Sequence, residues 1–338
     1  MRAPAFWWRP PGLAATLLSP AGAIYGCIAA ARMKRAGERA AVPVICVGNA
    51  TLGGAGKTPA AIALAHILQD MGERPCLLSR GYGGRARGPL RVDPQTHDAR
   101  AVGDEVILLA RAFPTIVARD RAAGARLAVG HGASVVVLDD GFQNPALEKD
   151  LSLLVVDGAV GVGNGRVFPA GPLRAALRPQ LERAQGLVRV GEGIAGDAVA
   201  HFAAFMRIPV FRARLVPDPA TTARLSGERV LAFAGIGHPD KFFATLAETG
   251  AQIVERRPFA DHHRFTSNEA QSLMAAAVAH KLRLVTTEKD AARMSAIPAL
   301  AELAAAAVAL PVRLAFEDAA AMRELLKGAF AKARSAST

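Results

Sequence analysis

The chain has 338 residues, with 41 Lys and Arg against 29 Asp and Glu, a formal charge of +12. Hydrophobic residues make up 51% and charged residues 21%, so a sizeable core is available and disorder is excluded for most of the chain. Three cysteines (Cys27, Cys46, Cys76) without paired spacing exclude a disulfide-stapled scaffold or a zinc site, and 5% aromatics are too few for a base-stacking surface. No specific nucleic-acid partner is therefore expected, and the positive excess points to an anionic membrane surface or a phosphorylated substrate.

At the N-terminus, Pro11 to Ala31 contains no charged side chain. Phe6, Trp7, Trp8 and Arg9 precede this run, and Arg32, Lys34 and Arg35 follow it. Pro20 and several small residues weaken it as a spanning helix, and the rest of the chain argues against a signal peptide. An interfacial helix with a basic end, its tryptophans at the water boundary, is the preferred reading; a helix packed on the protein's own core is the alternative.

A short apolar strand, Val42 to Val47, leads into a glycine-rich loop and then a helical pattern from Ala60 to Leu68. Strand, glycine loop and helix is the context in which backbone N–H groups and a helix N-terminus converge on phosphate. Thr51, Gly53, Gly54, Ala55, Gly56, Lys57 and Thr58 are the expected ATP-binding residues. Lys57 would reach the β- and γ-phosphates, and the Thr58 hydroxyl would ligate Mg²⁺. The strict pattern G-x-x-x-x-G-K-S/T has glycine where this chain has Thr51, so the match fails at its first residue.

A magnesium-side acid is expected at the end of a neighbouring strand. Ser134 to Leu138 followed by Asp139 and Asp140 supplies two, and alternation along a strand gives them different roles: one for Mg²⁺, the other for a water or neighbouring base. Further buried strands are expected at Pro75–Leu78, Thr115–Val117, Leu153–Val156 and Leu187–Val190, with helices over Val106–Phe113 and Asp120–Val129. This alternation predicts an α/β, P-loop NTPase-like, doubly wound and mostly parallel sheet. No N-K-x-D sequence is present to read guanine, so ATP is the expected nucleotide. A second, smaller α/β lobe is expected from a strand at Val230–Ala234, helices at Lys241–Glu248 and Ser267–His280, and a strand at Leu282–Thr286. The predicted organisation is an N-terminal membrane-associated helix (1–40), a P-loop core (41–220) and a C-terminal lobe (221–338).

The ordered series V-G-N-A-T-L-G-G-A-G-K-T-P (47–59), S-R-G-Y-G-G (79–84), G-D-E (103–105) and L-D-D-G-F-Q (138–143) resembles the tetraacyldisaccharide 4′-kinase (lipid A 4′-kinase) family. So do G-N-G-R (163–166), P-A-G-P-L-R (169–174), A-G-I-G-x-P (234–239), D-H-H (261–263) and T-T-E-K-D (286–290). The resemblance implies transfer of the ATP γ-phosphate to the 4′-hydroxyl of a tetraacylated glucosamine disaccharide 1-phosphate, with Mg²⁺. It also implies a monotopic enzyme on the cytoplasmic face of a bacterial inner membrane, without an obligate protein partner. By the same resemblance Asp104 is the catalytic acid/base partnered by His262, and Glu105, Asp139 and Asp140 are the Mg²⁺-linked acids. Arg174 is placed on the substrate side, and Arg80, Tyr82, Asn164 and Arg166 are grouped with it from the neighbouring motifs. Ala175 and Asn144 depart from the family's usual Glu and His. The competing expectation is a membrane-associated P-loop ATPase acting as a regulator or assembly factor.

Overall fold

The computed structural model describes residues 3–335. Its strands are β1 (Val44–Asn49), β2 (Pro75–Ser79), β3 (Leu90–Val92), β4 (Thr115–Val117), β5 (Val135–Asp139), β6 (Leu151–Asp157), β7 (Gly186–Val190) and β8 (Val210–Pro217), then β9 (Arg229–Ala234), β10 (Gln252–Pro258), β11 (Arg283–Thr287), β12 (Val308–Leu310) and β13 (Val312–Phe316). Nine of them form one sheet in the order β13-β8-β7-β6-β1-β5-β2-β4-β3, and four form a second in the order β10-β9-β11-β12. The large sheet is parallel except at its two edges, where β13 and β3 run antiparallel to β8 and β4. The small sheet is parallel throughout.

The large sheet is parallel because its strands are apolar on both faces. In β1, Val44 and Cys46 join the core on one side, while Ile45 and Val47 join the core on the other. Such strands require helices above and below, and the crossover helices supply them. β1 lies between β5 and β6, so the chain leaves it toward one half of the sheet and later returns to build the other half. The crevice beyond the strand C-terminal ends at such a reversal is where an α/β sheet receives a ligand.

The second sheet ends at Leu310, and β13 then returns to pair with β8 in the first. The C-terminal helix Ala319–Ser335 follows it, with Met322, Leu326 and Phe330 in the first lobe's core. The expected lobe 221–338 therefore runs too far: the single residue between β12 and β13, Pro311, carries no composition change that marks the return.

The N-terminal helix, Leu13–Met33, uses its two sides differently. Ala15, Gly22, Gly26 and Met33 are buried, and a side chain on Gly22 would meet the Val167 carbonyl at 2.7 Å. Leu13, Leu17, Ile24 and Ile28 are 77%, 72%, 65% and 63% exposed. The small-residue side lets the helix lie close to the body of the protein, and the large aliphatic side faces out. The tryptophans differ from expectation. Trp7 is buried, donating Nε1–H to the Pro169 carbonyl at 3.0 Å, and Trp8 lies edge-on to His238 of the second lobe at 5.5 Å. A protein carbonyl satisfies the Trp7 indole, so Trp7 serves as an internal clip and not as an interfacial anchor.

Gly48 sets the spacing of the central crevice, because a Cβ there would come within 2.4 Å of Phe142 Cβ on the loop after β5. Gly48→Ala is expected to destabilise the fold by about 1–3 kcal/mol through overpacking, measured by chemical denaturation.

Candidate active site

The loop after β1 turns through Gly53 (φ 115°) and Gly56 (φ 86°), conformations suited to glycine. Thr51 has no such requirement: its backbone bridges to Leu173, which explains why the strict pattern's first glycine is dispensable here. Gly56 caps the helix Lys57–Asp70, placing Lys57 and Thr58 in its first turn with 8% and 3% exposure. Asn49 staples the loop, donating to the Gly53 carbonyl at 2.7 Å and accepting from Lys57 Nζ at 3.2 Å. Nothing in the local spacing around Asn49 signals this role.

Asp139 and Asp140 part company at the end of β5. Asp139 is fully buried and accepts from the Thr58 hydroxyl at 3.2 Å through Oδ2, while its Oδ1 has no partner among the described residues. Burial, then the nearby Glu105 carboxylate, pushes its carboxyl above the ordinary value. Asp140, at φ 60°, turns to the other side and forms a bidentate pair with Arg174 at 2.8 and 3.1 Å. Its Oδ2 also lies 3.3 Å from Lys57 Nζ. Burial acts to raise the Asp140 pKa, but Lys57 and Arg174 outweigh it and hold the carboxyl low. Both oxygens of Asp140 are thus spent on protein cations, whereas the orphaned Asp139 oxygen is the acceptor left for a divalent ion.

The helix Asp104–Ala112 starts at Gly103, whose φ of 100° and 2.5 Å Cβ approach to the Tyr82 carbonyl exclude a side chain. This start sets Asp104 and Glu105 side by side at a helix N-terminus that favours carboxylates. Glu105 accepts from Lys289 Nζ at 2.6 Å, and Asp104 Oδ2 accepts from Arg293 Nε at 2.7 Å. His262, itself at φ 54°, brings Nδ1 to 3.5 Å from the same Asp104 oxygen. Asp104 Oδ1 accepts from the Glu105 amide at 3.0 Å. Burial acts to raise the Asp104 pKa, but His262, Arg293 and Lys289 together leave it well below the usual carboxylate range. In return Asp104, above all, raises the His262 pKa above its ordinary value. The Asp104 side chain is 6% exposed and that of His262 42%, so the imidazole is the open member of the pair.

The expected acceptor-side residues fall into two groups. Arg80 and Tyr82 are exposed on the loop after β2, and the Tyr82 ring sits 5.8 Å from His262. Arg166 is exposed as well. Asn164, in contrast, is used internally: its amide donates to the carbonyls of Phe6 and Ala170 at 3.3 and 2.9 Å, and its Oδ1 accepts from the Arg166 amide at 3.0 Å. Arg174 is likewise committed, to Asp140 and, through Nε, to the Thr51 carbonyl at 3.1 Å. Its guanidinium ties the phosphate loop to Asp140. Lys289 and Arg293 carry no assigned role from sequence; their partners in the first lobe, Glu105 and Asp104, lie 184 and 189 residues away, beyond any local pattern.

The residues fit Mg²⁺ carried with a nucleotide. Among the described residues no cluster of three or more His, Cys, Asp or Glu forms a dedicated metal cage. Magnesium in nucleotide sites commonly takes one or two carboxylates and completes its shell with phosphate oxygens and water. The Asp139 Oδ1 orphan beside Thr58, with Glu105 close enough to raise the Asp139 pKa, is a donor set of that kind.

Comparison with known proteins agrees with this geometry. The profile of the tetraacyldisaccharide-1-P 4′-kinase family matches residues 14–331. The tetraacyldisaccharide 4′-kinase of Nitrobacter winogradskyi is 54% identical over 334 residues, covering 99% of each chain. That of Rhodopseudomonas palustris strain BisB5 is 56% identical over 326 residues, covering 96% of each. A crystal structure of LpxK from Aquifex aeolicus, an "apo" form in complex with ATP, superposes with a TM-score of 0.72 at 27% identity, covering 94% of this chain and 99% of that one. The phosphate loop and the acids it faces are thus those of a family member: the chain belongs to the tetraacyldisaccharide 4′-kinase family.

Proposed function

We infer that the chain transfers the γ-phosphate of ATP to the 4′-hydroxyl of a tetraacylated glucosamine disaccharide 1-phosphate, a step of lipid A biosynthesis. The observation that carries this reading is the meeting of Asp104 and His262 from opposite lobes beside the phosphate loop, in a chain of this family. An ATPase that only switches conformation needs the loop and Asp139; it has no use for a buried carboxylate holding an open imidazole.

The loop amides, Lys57 and the helix N-terminus bind the β- and γ-phosphates and stabilise charge on the transferred group. On nucleotide binding Lys57 exchanges its present partners, Asn49 and Asp140, for phosphate oxygens, while Arg174 keeps Asp140 neutralised. Thr58, Asp139 and Glu105 would hold Mg²⁺, which supplies Lewis-acid neutralisation of the phosphates when bound. Asp104 Oδ2 and His262 Nδ1 face each other at 3.5 Å, with Asp261 Oδ1 4.0 Å from Nε2, and this dyad takes the proton of the sugar hydroxyl as it attacks. Arg80, Tyr82 and Arg166 are the exposed groups assigned to the acceptor. General-base assistance contributes on the order of 10²–10⁴-fold, and positioning the two substrates supplies more.

The acceptor is a lipid, which gives the aliphatic side of Leu13–Met33 a purpose. This helix is long and apolar enough to cross a membrane, yet its small-residue side is occupied by the protein itself. We place it in the interface, on the cytoplasmic leaflet of the inner membrane, with Arg32, Lys34 and Arg35 at the headgroups. Leu17→Asp with Ile24→Asp is expected to weaken cosedimentation with anionic phospholipid vesicles at least tenfold, since burying each such side chain stabilises by about 1.5–3 kcal/mol. Both positions are exposed, so the thermal midpoint should not move.

Two kinetic outcomes follow. With labelled ATP, label is expected in the glycolipid rather than in free phosphate, and Lys57→Ala should lower that turnover by about 10²–10³-fold. The pH profile tests the dyad. Because Asp104 stabilises the protonated imidazole, the neutral base is present only above a raised pKa and is lost as pH falls through it. The acidic limb of kcat should therefore lie above the ordinary histidine value of about 6.5. Asp104→Asn should move that limb to lower pH while lowering kcat roughly 100-fold.

A further inference from the structure

The motifs A-G-I-G-x-P, D-H-H and T-T-E-K-D meet at the backbone of one residue, Gly235. Its N–H donates to Asp290 Oδ2 at 2.9 Å. Its carbonyl accepts from the His262 amide at 3.1 Å and from an Arg293 terminal nitrogen at 2.8 Å. The same Arg293 nitrogen donates to Asp290 Oδ1 at 2.7 Å, while Arg293 Nε reaches across the lobes to Asp104 Oδ2 at 2.7 Å. Asp290 is fully buried; its amide donates to Thr287, the N-cap of the helix Glu288–Ser295, at 3.1 Å, and its Oδ2 accepts from the Thr287 hydroxyl at 2.7 Å. A Cβ on Gly235 would stand 3.0 Å from both Asp290 Oδ1 and His263 Cβ, so the residue is closely packed at this place.

We propose that Arg293 is the positioning residue of the phosphotransfer reaction: it fixes the Asp104 carboxylate and the His262 backbone to one common point, the Gly235 carbonyl. The assignment rests on the kinase reading above and adds a residue to it. His262 and Asp104 come from different lobes and approach no closer than 3.5 Å, so their mutual contact is too weak to set their alignment. Arg293 makes the shorter, charge-assisted bond to the same carboxylate oxygen, which fixes the plane in which that oxygen is offered to the imidazole. A guanidinium is a rigid planar fork, so the angle between its Asp104 and Gly235 arms is built in. Lysine carries its three donors on one freely rotating ammonium and has no such fixed angle between arms. Arg293 does not touch the reacting atoms by this geometry; it acts through the two residues that do.

The test compares Arg293→Lys and Arg293→Ala with the parent enzyme, using ATP and tetraacyldisaccharide 1-phosphate and measuring kcat, the KM for ATP and direct ATP binding. A misplacement of about 1 Å costs on the order of 100-fold in rate. The expected result is a 30- to 300-fold loss of kcat in both variants, with ATP affinity within about threefold of the parent. Millimolar guanidinium should restore Arg293→Ala at least tenfold and leave His262→Ala unchanged. The proposal is overturned if Arg293→Lys retains kcat within threefold. It is overturned equally if kcat, ATP affinity and thermal midpoint fall together without guanidinium rescue, since that pattern belongs to a lobe clamp. If the parent enzyme itself places no label in the glycolipid, the kinase reading fails and the proposal with it; that outcome is distinct, because it appears before any variant is made.

Discussion

Asp104 is an ionised carboxylate in a place that water barely reaches, and among the described residues no basic group of its own lobe forms an ion pair with it. The cations that make it tolerable, Arg293 and His262, both belong to the second lobe. An unpaired buried charge costs several kcal/mol, and removing one partner of a buried pair typically costs about 3–5 kcal/mol. The first lobe therefore carries a group that is stable in its reactive form only when the second lobe is docked on it. Lys289 repeats this relation with Glu105 one residue along, and Lys241 repeats it with Asp157 at the end of β6. The two sheets are held by ions whose pairing is also the assembly of the site.

The same economy governs the phosphate loop. Burying Lys57 and Thr58 at a helix start leaves a positive end facing buried acids. The acids are sorted by backbone conformation alone: Asp139 ends the strand, and Asp140 adopts a left-handed turn toward Lys57 and Arg174. One acid neutralises the loop while no phosphate is present, and the other keeps an oxygen free for a cation. The net charge of +12 thereby acquires local meaning. Some cations face nucleotide phosphate, some secure the lobes, and a basic cluster closes the apolar helix.

Much of the fold was legible because it follows from local patterns. Buried parallel strands are short continuous apolar runs, so β1, β5, β6 and β7 stand out, and the helix at Ser267 begins with a capping box that matches its expected start. The phosphate loop was legible for the same reason: its chemistry needs glycines, lysine and a hydroxyl at fixed local spacing. The dyad was not. Asp104 and His262 lie far apart in sequence, and only the family resemblance singled them out. Arg293 lies outside every motif quoted, and Lys289 lies inside one without a role, since their partners sit across the lobe junction. Arg174 is put on the acceptor side by the resemblance and Asn164 by its neighbouring motif; the internal partners both hold in the fold, Asp140 and the Ala170 carbonyl, are set by tertiary packing and leave no local sign. The return of β13 to the first sheet escaped notice because a strand's partner is set by tertiary packing, and its sequence does not record which sheet it joins.

The central claim is that one lobe's carboxylate and the other lobe's imidazole act as a single unit, and a double-mutant cycle on kcat measures that directly. Asp104→Asn, His262→Ala and the combined variant are compared for glycolipid phosphorylation at saturating ATP. Residues that act as a unit are strongly non-additive. The account predicts that the double variant is no more than about threefold worse than the poorer single variant. Losses that multiply, each substitution costing its full factor in the presence of the other, would show two independent contributions and contradict it.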